Sequence, residues 1–133
     1  MQKIIKILKK MNKIALKNGD VPVSCVILKN NKIVSKSYNK KVKNHNPFDH
    51  AEIISIKKAC KKLKTENLGD CELIVTLKPC KMCEEVINQS RIKKVYYFME
   101  QEKNVNNTIK YIKINEESTY FREELVNFFV NKR

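Results

Sequence analysis

Apolar and polar positions alternate in two different ways along the first forty residues. Apolar residues first recur every three or four positions with lysines between them, which predicts an amphipathic helix ending near Asn18-Gly19. The apolar positions of this helix are Ile4, Leu8, Met11 and Ala15. Two runs rich in β-branched residues follow, 21–28 and 32–37, and the Asn30-Asn31 pair between them favours a tight turn. The chain is therefore expected to open with a helix and an antiparallel hairpin.

From residue 38 onward, helical and extended patterns alternate. After a polar loop at 38–49, we predict helices at 50–63, 80–89 and 117–131, strands at 72–77 and 94–99, and a weaker strand at 109–114. The polar stretch 100–108 is predicted as a loop or a frayed helix end. Strands that alternate with helices form a sheet covered on both faces. The predicted fold class is α/β, a three-layer α/β/α sandwich with a mixed five-stranded sheet, in one domain of residues 1–133.

The charge balance adds a candidate class of partner. The chain has 28 lysines and arginines against 14 acidic residues, a formal net charge of +14, which favours polyanionic partners such as nucleic acid or an anionic membrane face. All but three of the basic residues are lysines, the exceptions being Arg91, Arg122 and Arg133. Because lysine lacks the planar fork with which arginine grips phosphate, genomic codon bias explains the charge equally well.

Apolar runs and cysteines bear on the location of the protein. No segment approaches about 18 uninterrupted apolar residues, so we predict that the chain does not span a membrane. Lys6, Lys9 and Lys10 interrupt any apolar region that a signal peptide would need. Five cysteines are an odd number in a chain without a secretory signal, which favours a reducing compartment. The cytoplasm is therefore the expected location.

Two short motifs at predicted helix starts indicate a zinc site. His50-Ala51-Glu52 opens one helix and Pro79-Cys80-Lys81-Met82-Cys83 opens another, and together they match the H-x-E and P-C-x-x-C signature of zinc deaminases. His50, Cys80 and Cys83 offer Zn²⁺ one imidazole and two thiolates, which leaves the fourth tetrahedral position to water, as in catalytic sites. Glu52 lies two residues past the histidine and is the candidate proton shuttle.

The cysteine pair by itself has other interpretations. Cys-x-x-Cys also occurs in structural zinc knuckles and in redox sites, although thioredoxin-type motifs usually have proline between the cysteines, whereas proline precedes them here. A structural zinc would need a fourth ligand, for which Cys60 and Cys71 are candidates. Cys60 falls on the apolar face of the predicted helix 50–63, however. We therefore expect Cys25, Cys60 and Cys71 to be small core residues and His45 to be a loop residue.

Several further segments accompany the two motifs. They are Val21-Pro22-Val23, Asn39, Asn46-Pro47, Val75-Thr76-Leu77 before Pro79, and Ser90-Arg91-Ile92 before Val95-Tyr96. With the motifs, they resemble the bacterial tRNA adenosine deaminases, which make inosine at the wobble position of the anticodon and belong to the cytidine deaminase-like superfamily. The resemblance extends from Ile4 to Met99 and resumes in Leu125, Phe128-Phe129 and Lys132-Arg133.

This resemblance implies both a reaction and a partner. The implied activity is hydrolytic deamination of adenosine to inosine, with the flipped adenine held over zinc and Glu52 protonating its N1. The implied partner is the anticodon stem-loop of tRNA, bound by both subunits of a homodimer. Asn39 is implied to hydrogen-bond the base, Val21 to form a wall of the pocket, and Ala51 to contact the substrate as well. The implied fold is cytidine deaminase-like.

Three features differ from the usual pattern of that family. Lys78 precedes the proline where glutamate is usual, Glu84-Glu85 follow the second cysteine where small residues are usual, and a glycine-containing segment is missing near 100–108. These differences bear on which substrate enters. A deaminase of a free nucleobase or nucleoside, such as guanine, cytosine or cytidine, is therefore the alternative enzyme. A zinc-stabilised RNA-binding subunit without activity is the non-enzymatic alternative, against which the presence of Glu52 argues.

Overall fold

Four helices and five strands make up the described part of the chain, which is residues 1–101 and 108–131 of the computed structural model. In chain order they are α1 (Gln2–Lys17), β1 (Ser24–Lys29), β2 (Lys32–Tyr38), α2 (Ala51–Leu63), β3 (Cys71–Leu77), α3 (Lys81–Gln89), β4 (Lys94–Met99), β5 (Lys110–Lys113) and α4 (Ser118–Asn131). The predicted succession of elements is confirmed. Residues 102–107 of the predicted 100–108 loop and the Lys132-Arg133 pair lie outside the described residues.

The strands form one mixed five-stranded sheet in the order β2-β1-β3-β4-β5. Strand β1 runs antiparallel to both of its neighbours, whereas β3, β4 and β5 are parallel to one another. The predicted hairpin joins β1 to β2. Its turn residues Asn30 and Asn31 have φ angles of 52° and 62°, and two consecutive positive φ angles are what a type I′ turn requires.

Two helices cover each face of the sheet. Helices α2 and α3 pack on one face through a cluster that includes Leu73 and Val75, and α1 and α4 pack on the other through a cluster that includes Ile74 and Phe98. Alternate residues of β3 thus point to opposite cores, as the pleat requires. Helix α4 is anchored by Phe121, which is fully buried and whose ring centroid lies 4.9 Å from that of Phe98. This arrangement confirms the predicted α/β/α sandwich.

Strand β1 begins three residues later than the pattern of apolar residues predicts. The N–H of Val23 donates to the carbonyl oxygen of Val21 at 2.8 Å, and Pro22 has no N–H to donate to a ladder. The tight turn at 21–23 therefore precedes the sheet, and pairing starts with Ser24 opposite Tyr38. As a result, Val21 and Val23 precede the first residue of β1, and they line a cavity there.

Polar contacts add to the apolar packing between α1 and α4. Asn12 is completely buried, and its Nδ2 donates to Oε1 of Glu124 at 2.8 Å. Within the described ranges, Oδ1 of Asn12 is the one buried side-chain oxygen without a hydrogen-bond partner. Burial raises the pKa of Glu124, and the hydrogen bond from Asn12 opposes this shift only in part. The α1–α4 contact therefore holds an unpaired acceptor next to a partly desolvated carboxylate.

None of the helices in residues 1–101 and 108–131 combines the length and the apolarity that crossing a bilayer demands.

Replacing Glu124 with glutamine is expected to raise the free energy of unfolding by about 1 kcal/mol at neutral pH. The glutamine amide can accept from Nδ2 of Asn12, as the carboxylate does, and can also donate to the unpaired Oδ1. Because burial raises the pKa of Glu124 in the folded state, protonation of the native carboxyl stabilises the fold as the pH falls. The advantage of Glu124→Gln should therefore shrink toward mildly acidic pH.

Chemical denaturation of both proteins at neutral and at mildly acidic pH measures this difference. Glu123→Gln is the matched control, because Glu123 is an exposed neighbour on the same helix. Equal stability of the two variants at neutral pH would contradict the prediction.

Candidate metal centre and active site

Two helix starts meet at the edge of the sheet where β3 and β4 end. His50 is the N-cap residue of α2 and Cys80 is the N-cap residue of α3, both with extended backbone, and Cys83 lies in the first turn of α3. The carboxyl ends of parallel strands meet at one edge of a sheet, which is where α/β proteins place their binding sites. Free N–H groups and the helix dipole at such starts favour thiolates.

The three predicted zinc ligands converge at this edge. Nδ1 of His50 lies 3.9 Å from Sγ of Cys80 and 3.5 Å from Sγ of Cys83, and all three ligand atoms lie within 4.8 Å of one another. Nitrogen and sulfur ligands of a tetrahedral zinc, at ordinary bond lengths, are about 3.6 to 3.8 Å apart. The donor set therefore fits Zn²⁺. Elsewhere in the described ranges, no other His, Cys, Asp and Glu side chains form such a group.

The electrostatics of the two thiols also call for a cation. Hydrogen bonds from Cys83 and His50 lower the pKa of Cys80 to about 3, whereas the interaction with Cys80, followed by burial, raises the pKa of Cys83 well above its usual range. The hydrogen bond with Cys80 raises the pKa of His50 in turn. One thiolate therefore suppresses the ionisation of the other, and a divalent cation between them allows both to ionise.

Glu52 is buried in the wall of the same site. It lies in the first turn of α2, is only 3% exposed, and lines a cavity together with His50 and Cys80. Burial raises the pKa of Glu52 to about 7, against the opposing effects of a backbone hydrogen bond and of His50. A carboxyl group that titrates near neutrality can both take up and return a proton. This environment supports the predicted role of Glu52 as a proton shuttle.

A cavity of about 370 Å³ opens over these residues, a volume within the usual range for small-molecule sites. Its lining combines the polar groups of Asn39 and Glu52 with an apolar wall to which Val21, Val23 and Leu77 contribute. A larger cavity, about 740 Å³, lies along the lysine-rich side of α2 and includes none of the three metal ligands. The chemistry of the lining, rather than volume, therefore identifies the site.

The residues implied to bind substrate occupy different positions in the site. Val21 and Asn39 lie in the cavity wall, whereas Ala51 is fully buried and is not part of the lining. Oδ1 of Asn39 accepts a hydrogen bond from the N–H of Ala51 at 2.8 Å. Because Ala51 is the first residue of α2, Asn39 satisfies one of the N–H groups left free at the start of that helix. Asn39 therefore holds in place the helix turn that carries His50 and Glu52.

Helix α4 supplies wall residues that sequence reasoning did not assign to the site. Leu125 and Phe129 line the cavity, and Phe129 remains 55% exposed. The sequence does contain a hint of this role, because α4 has more apolar residues than one buried face can accommodate. Val126 and Val130, for example, are exposed. Lys78 from the end of β3 lines the cavity as well.

Two of the three remaining cysteines lie in the core, as predicted, and the third lies at the edge of the core. Cys25 and Cys71 are buried and Cys60 is half-buried against the cluster beneath α2 and α3. His45 is an exposed loop residue with a φ angle of 50°. None of these four side chains joins the group formed by His50, Cys80 and Cys83 in the described part of the protein.

Comparisons with known proteins agree with this site. The family model described as the cytidine and deoxycytidylate deaminase zinc-binding region matches residues 1–99, which include both motifs. The tRNA-specific adenosine deaminase of Rickettsia bellii is 38% identical to this chain over 120 residues, which cover 87% of this chain and 81% of that protein.

Solved structures share the fold. A structure from a study of A-to-I editing by tRNA:A34 deaminases at the wobble position of transfer RNA superposes with a TM-score of 0.77 at 23% identity, covering 85% of this chain and 98% of that one. The guanine deaminase of Bacillus subtilis superposes with a TM-score of 0.64 at 25% identity, covering 90% and 91% of the two chains. Deaminases that are named for different substrates thus have this architecture.

Replacing Asn39 with alanine is expected to lower the free energy of unfolding by about 1 kcal/mol, because an N–H at the start of α2 loses its acceptor. Chemical denaturation measures the effect. Asn44→Ala is the control, because Asn44 lies in the same loop and its amide contacts Asp49 at the surface, where a substitution changes stability by less than about 0.5 kcal/mol. Equal losses of unfolding free energy in the two variants would show that the hydrogen bond from Ala51 to Asn39 does not stabilise the start of α2.

Proposed function

We propose a function for this chain from the premise that it belongs to the cytidine and deoxycytidylate deaminase family, and within it to the tRNA-specific adenosine deaminases. It deaminates adenosine at the wobble position of tRNA to inosine, consuming water and releasing ammonia. The observation that carries the proposal is the convergence of His50, Cys80 and Cys83 within 4.8 Å beside a buried carboxyl group. We assign the activity to a single catalytic domain, residues 1–133.

Each polar side chain of the site has a part in the reaction. Zn²⁺ held by His50, Cys80 and Cys83 supplies an activated water at neutral pH. Glu52 would accept a proton from the attacking water and deliver it to N1 of adenine while the water oxygen becomes bonded to C6. Glu52 then takes the remaining proton from the oxygen at C6 and passes it to the exocyclic amine, which leaves as ammonia as the C6–N bond breaks and the C6 carbonyl forms. A pKa of about 7 suits a carboxyl group that must alternate between the two states.

The walls of the cavity suit an extruded purine. Val21, Leu125 and Phe129 offer apolar surface on which a flat base can pack, and Asn39 offers a polar group in the cavity wall. A cavity of about 370 Å³ admits one nucleotide and not a base-paired helix. Bases of an anticodon loop are already unpaired and can enter at low cost, which a base inside a duplex cannot do.

The charge of the protein fits an RNA substrate better than a free base. A net charge of +14 attracts the phosphates of a stem-loop, and a neutral nucleobase gains nothing from it. Because tRNA is the substrate, we place the protein in the cytoplasm.

Purified protein loaded with zinc is expected to convert a wobble adenosine in an anticodon stem-loop to inosine, with one ammonia released per inosine. Mass spectrometry of the digested RNA and an ammonia assay measure the two products. Phosphate contacts should also make the apparent affinity fall steeply as salt rises. Conversion of guanine, cytosine or cytidine with an unchanged stem-loop would instead identify a free-base or nucleoside deaminase.

Glu52→Ala is the control for this assay. It removes the proton shuttle but none of the metal ligands, so it should retain zinc and lose turnover by at least about 100-fold. Activity near that of the wild type would show that another group moves the proton. Bound zinc without turnover of any base in the wild type would indicate a binding subunit.

We also propose that the active form is a homodimer. Val42 and Phe48 are 53% and 62% exposed, and both lie in the loop between β2 and α2 that connects Asn39 to His50. Exposed apolar side chains on a loop that leads into a binding site are often part of a protein interface. A second copy that covered this loop would add its own residues to the rim of the cavity.

Sedimentation at micromolar concentration is expected to give twice the 15.7 kDa mass of one chain. Replacing Phe48 with aspartate should shift the equilibrium toward the monomer, because it places a charge in the apolar contact. A mass of one chain for the wild type at every concentration tested would contradict the dimer.

A further inference from the structure

Lys78, the residue before the Pro79-Cys80 turn, is enclosed rather than solvated. Its side chain is 15% exposed, and its Nζ lies 3.8 Å from Oε1 of Glu100. The same ammonium lies 5.2 Å from the ring centroid of Tyr97 and 4.8 Å from that of Tyr111. A partly desolvated cation between two aromatic faces and a carboxylate is held at a defined position.

Each of the two tyrosines is in turn bonded to a carboxylate. The hydroxyl of Tyr97 donates to Oε2 of Glu100 at 2.7 Å, and the hydroxyl of Tyr111 donates to Oε2 of Glu84 at 2.5 Å. Glu84 is buried at 5% exposure and directly follows Cys83 in the first turn of α3. We refer to Lys78, Glu84, Tyr97, Glu100 and Tyr111 as the lysine cage.

The cage encloses the ligand segment from both ends. Lys78 precedes Cys80 and Glu84 follows Cys83, so residues 79–83 lie between two members of the cage. The backbone strengthens the attachment, because the N–H of Lys78 donates to the carbonyl oxygen of Met99 at 3.0 Å and the N–H of Glu84 donates to that of Cys80 at 2.8 Å. Gln101 also donates from Nε2 to the carbonyl oxygen of Lys78. The turn is thereby attached to β4 and β5.

We propose that Lys78 is a positioning residue for the metal centre, which acts through the lysine cage to hold Cys80 and Cys83 ready for Zn²⁺. The charges support this role, since a buried carboxylate or ammonium is costly alone and tolerable when partnered. Lys78 and Glu84 are also two of the positions where the sequence differs from the usual family pattern. Through Tyr111, the added cation and the added anion become parts of one network, so the two differences compensate each other.

The test is metal affinity in the absence of RNA. Lys78→Met keeps the length of the side chain and removes its charge, and it is expected to weaken Zn²⁺ and Co²⁺ binding by about 10- to 100-fold, the usual effect of disturbing groups that orient metal ligands. The visible absorption spectrum of the Co²⁺ form should change as well, because the thiolate geometry is less well defined. Lys78→Arg restores a cation over the rings and should recover most of the affinity.

Lys81→Met is the matched control. Lys81 lies in the same segment and carries the same charge, but it is exposed and outside the lysine cage. Its loss should leave metal affinity within about threefold of the wild type, the spread that surface changes usually produce. Equal affinities of Lys78→Met and Lys81→Met would overturn the proposal.

Tyr111→Phe provides a second test should Lys78→Met not fold. It keeps the ring beside the ammonium and removes only the hydroxyl that binds Glu84, so metal affinity should fall, the visible absorption spectrum of the Co²⁺ form should change as in Lys78→Met, and the metal-free protein should lose some thermal stability because buried Glu84 loses its partner. Unchanged affinity would overturn the proposal. The inference rests on the metal site of the proposed function but not on its substrate. A wild type that binds no metal would overturn both the proposed function and the role of Lys78. Weaker metal binding by Lys78→Met, together with a wild type that forms no inosine, would contradict only the proposed substrate.

Discussion

Two cysteine thiols lie side by side at one helix start, where the ionisation of one opposes that of the other and a cation between them favours both thiolates. Hydrogen bonds from Cys83 and His50 lower the pKa of Cys80 to about 3, whereas the interaction with Cys80 and burial raise the pKa of Cys83. His50 arrives from a different helix to complete the group. The geometry is satisfied by a metal of tetrahedral preference, and the same metal supplies the chemistry that Glu52 needs beside it.

The elements and the metal ligands could be predicted from sequence because both depend on short-range patterns. The spacing of Ile4, Leu8 and Met11 predicts a helix wherever it packs, and the two motifs identify ligand types by chemistry alone. The apolar pattern predicts too early a start for β1, because it continues through Pro22. The hydrogen-bonded ladder cannot include Pro22, which has no N–H to donate, and pairing begins at Ser24. The weaker strand predicted at 109–114 corresponds to β5, which is only four residues long and lies at the edge of the sheet.

The supports of the site could not be predicted because they join residues far apart in the chain. Asn39 was expected to face a base, and no local pattern shows that its Oδ1 also accepts from Ala51. The lysine cage requires the ends of β3 and β4, the middle of β5 and the first turn of α3 to meet. From sequence, Lys78 and Glu84 were two unrelated departures from a family pattern. Only the fold shows that Tyr111 connects them.

Different parts of the structure hold the ligands and the cavity wall. The ligands lie at the starts of α2 and α3, which cover one face of the sheet, and the cage and Asn39 hold the turns that carry them. The wall formed by Leu125 and Phe129 belongs to α4, in which Phe121 is the one fully buried residue. Helix α4 also contacts α1 through Glu124 and Asn12, and Oδ1 of Asn12 has no hydrogen-bond partner there. Less apolar surface therefore holds the wall than holds the metal centre. Substitutions of Leu125 and Phe129 can therefore reshape the cavity without replacing a metal ligand.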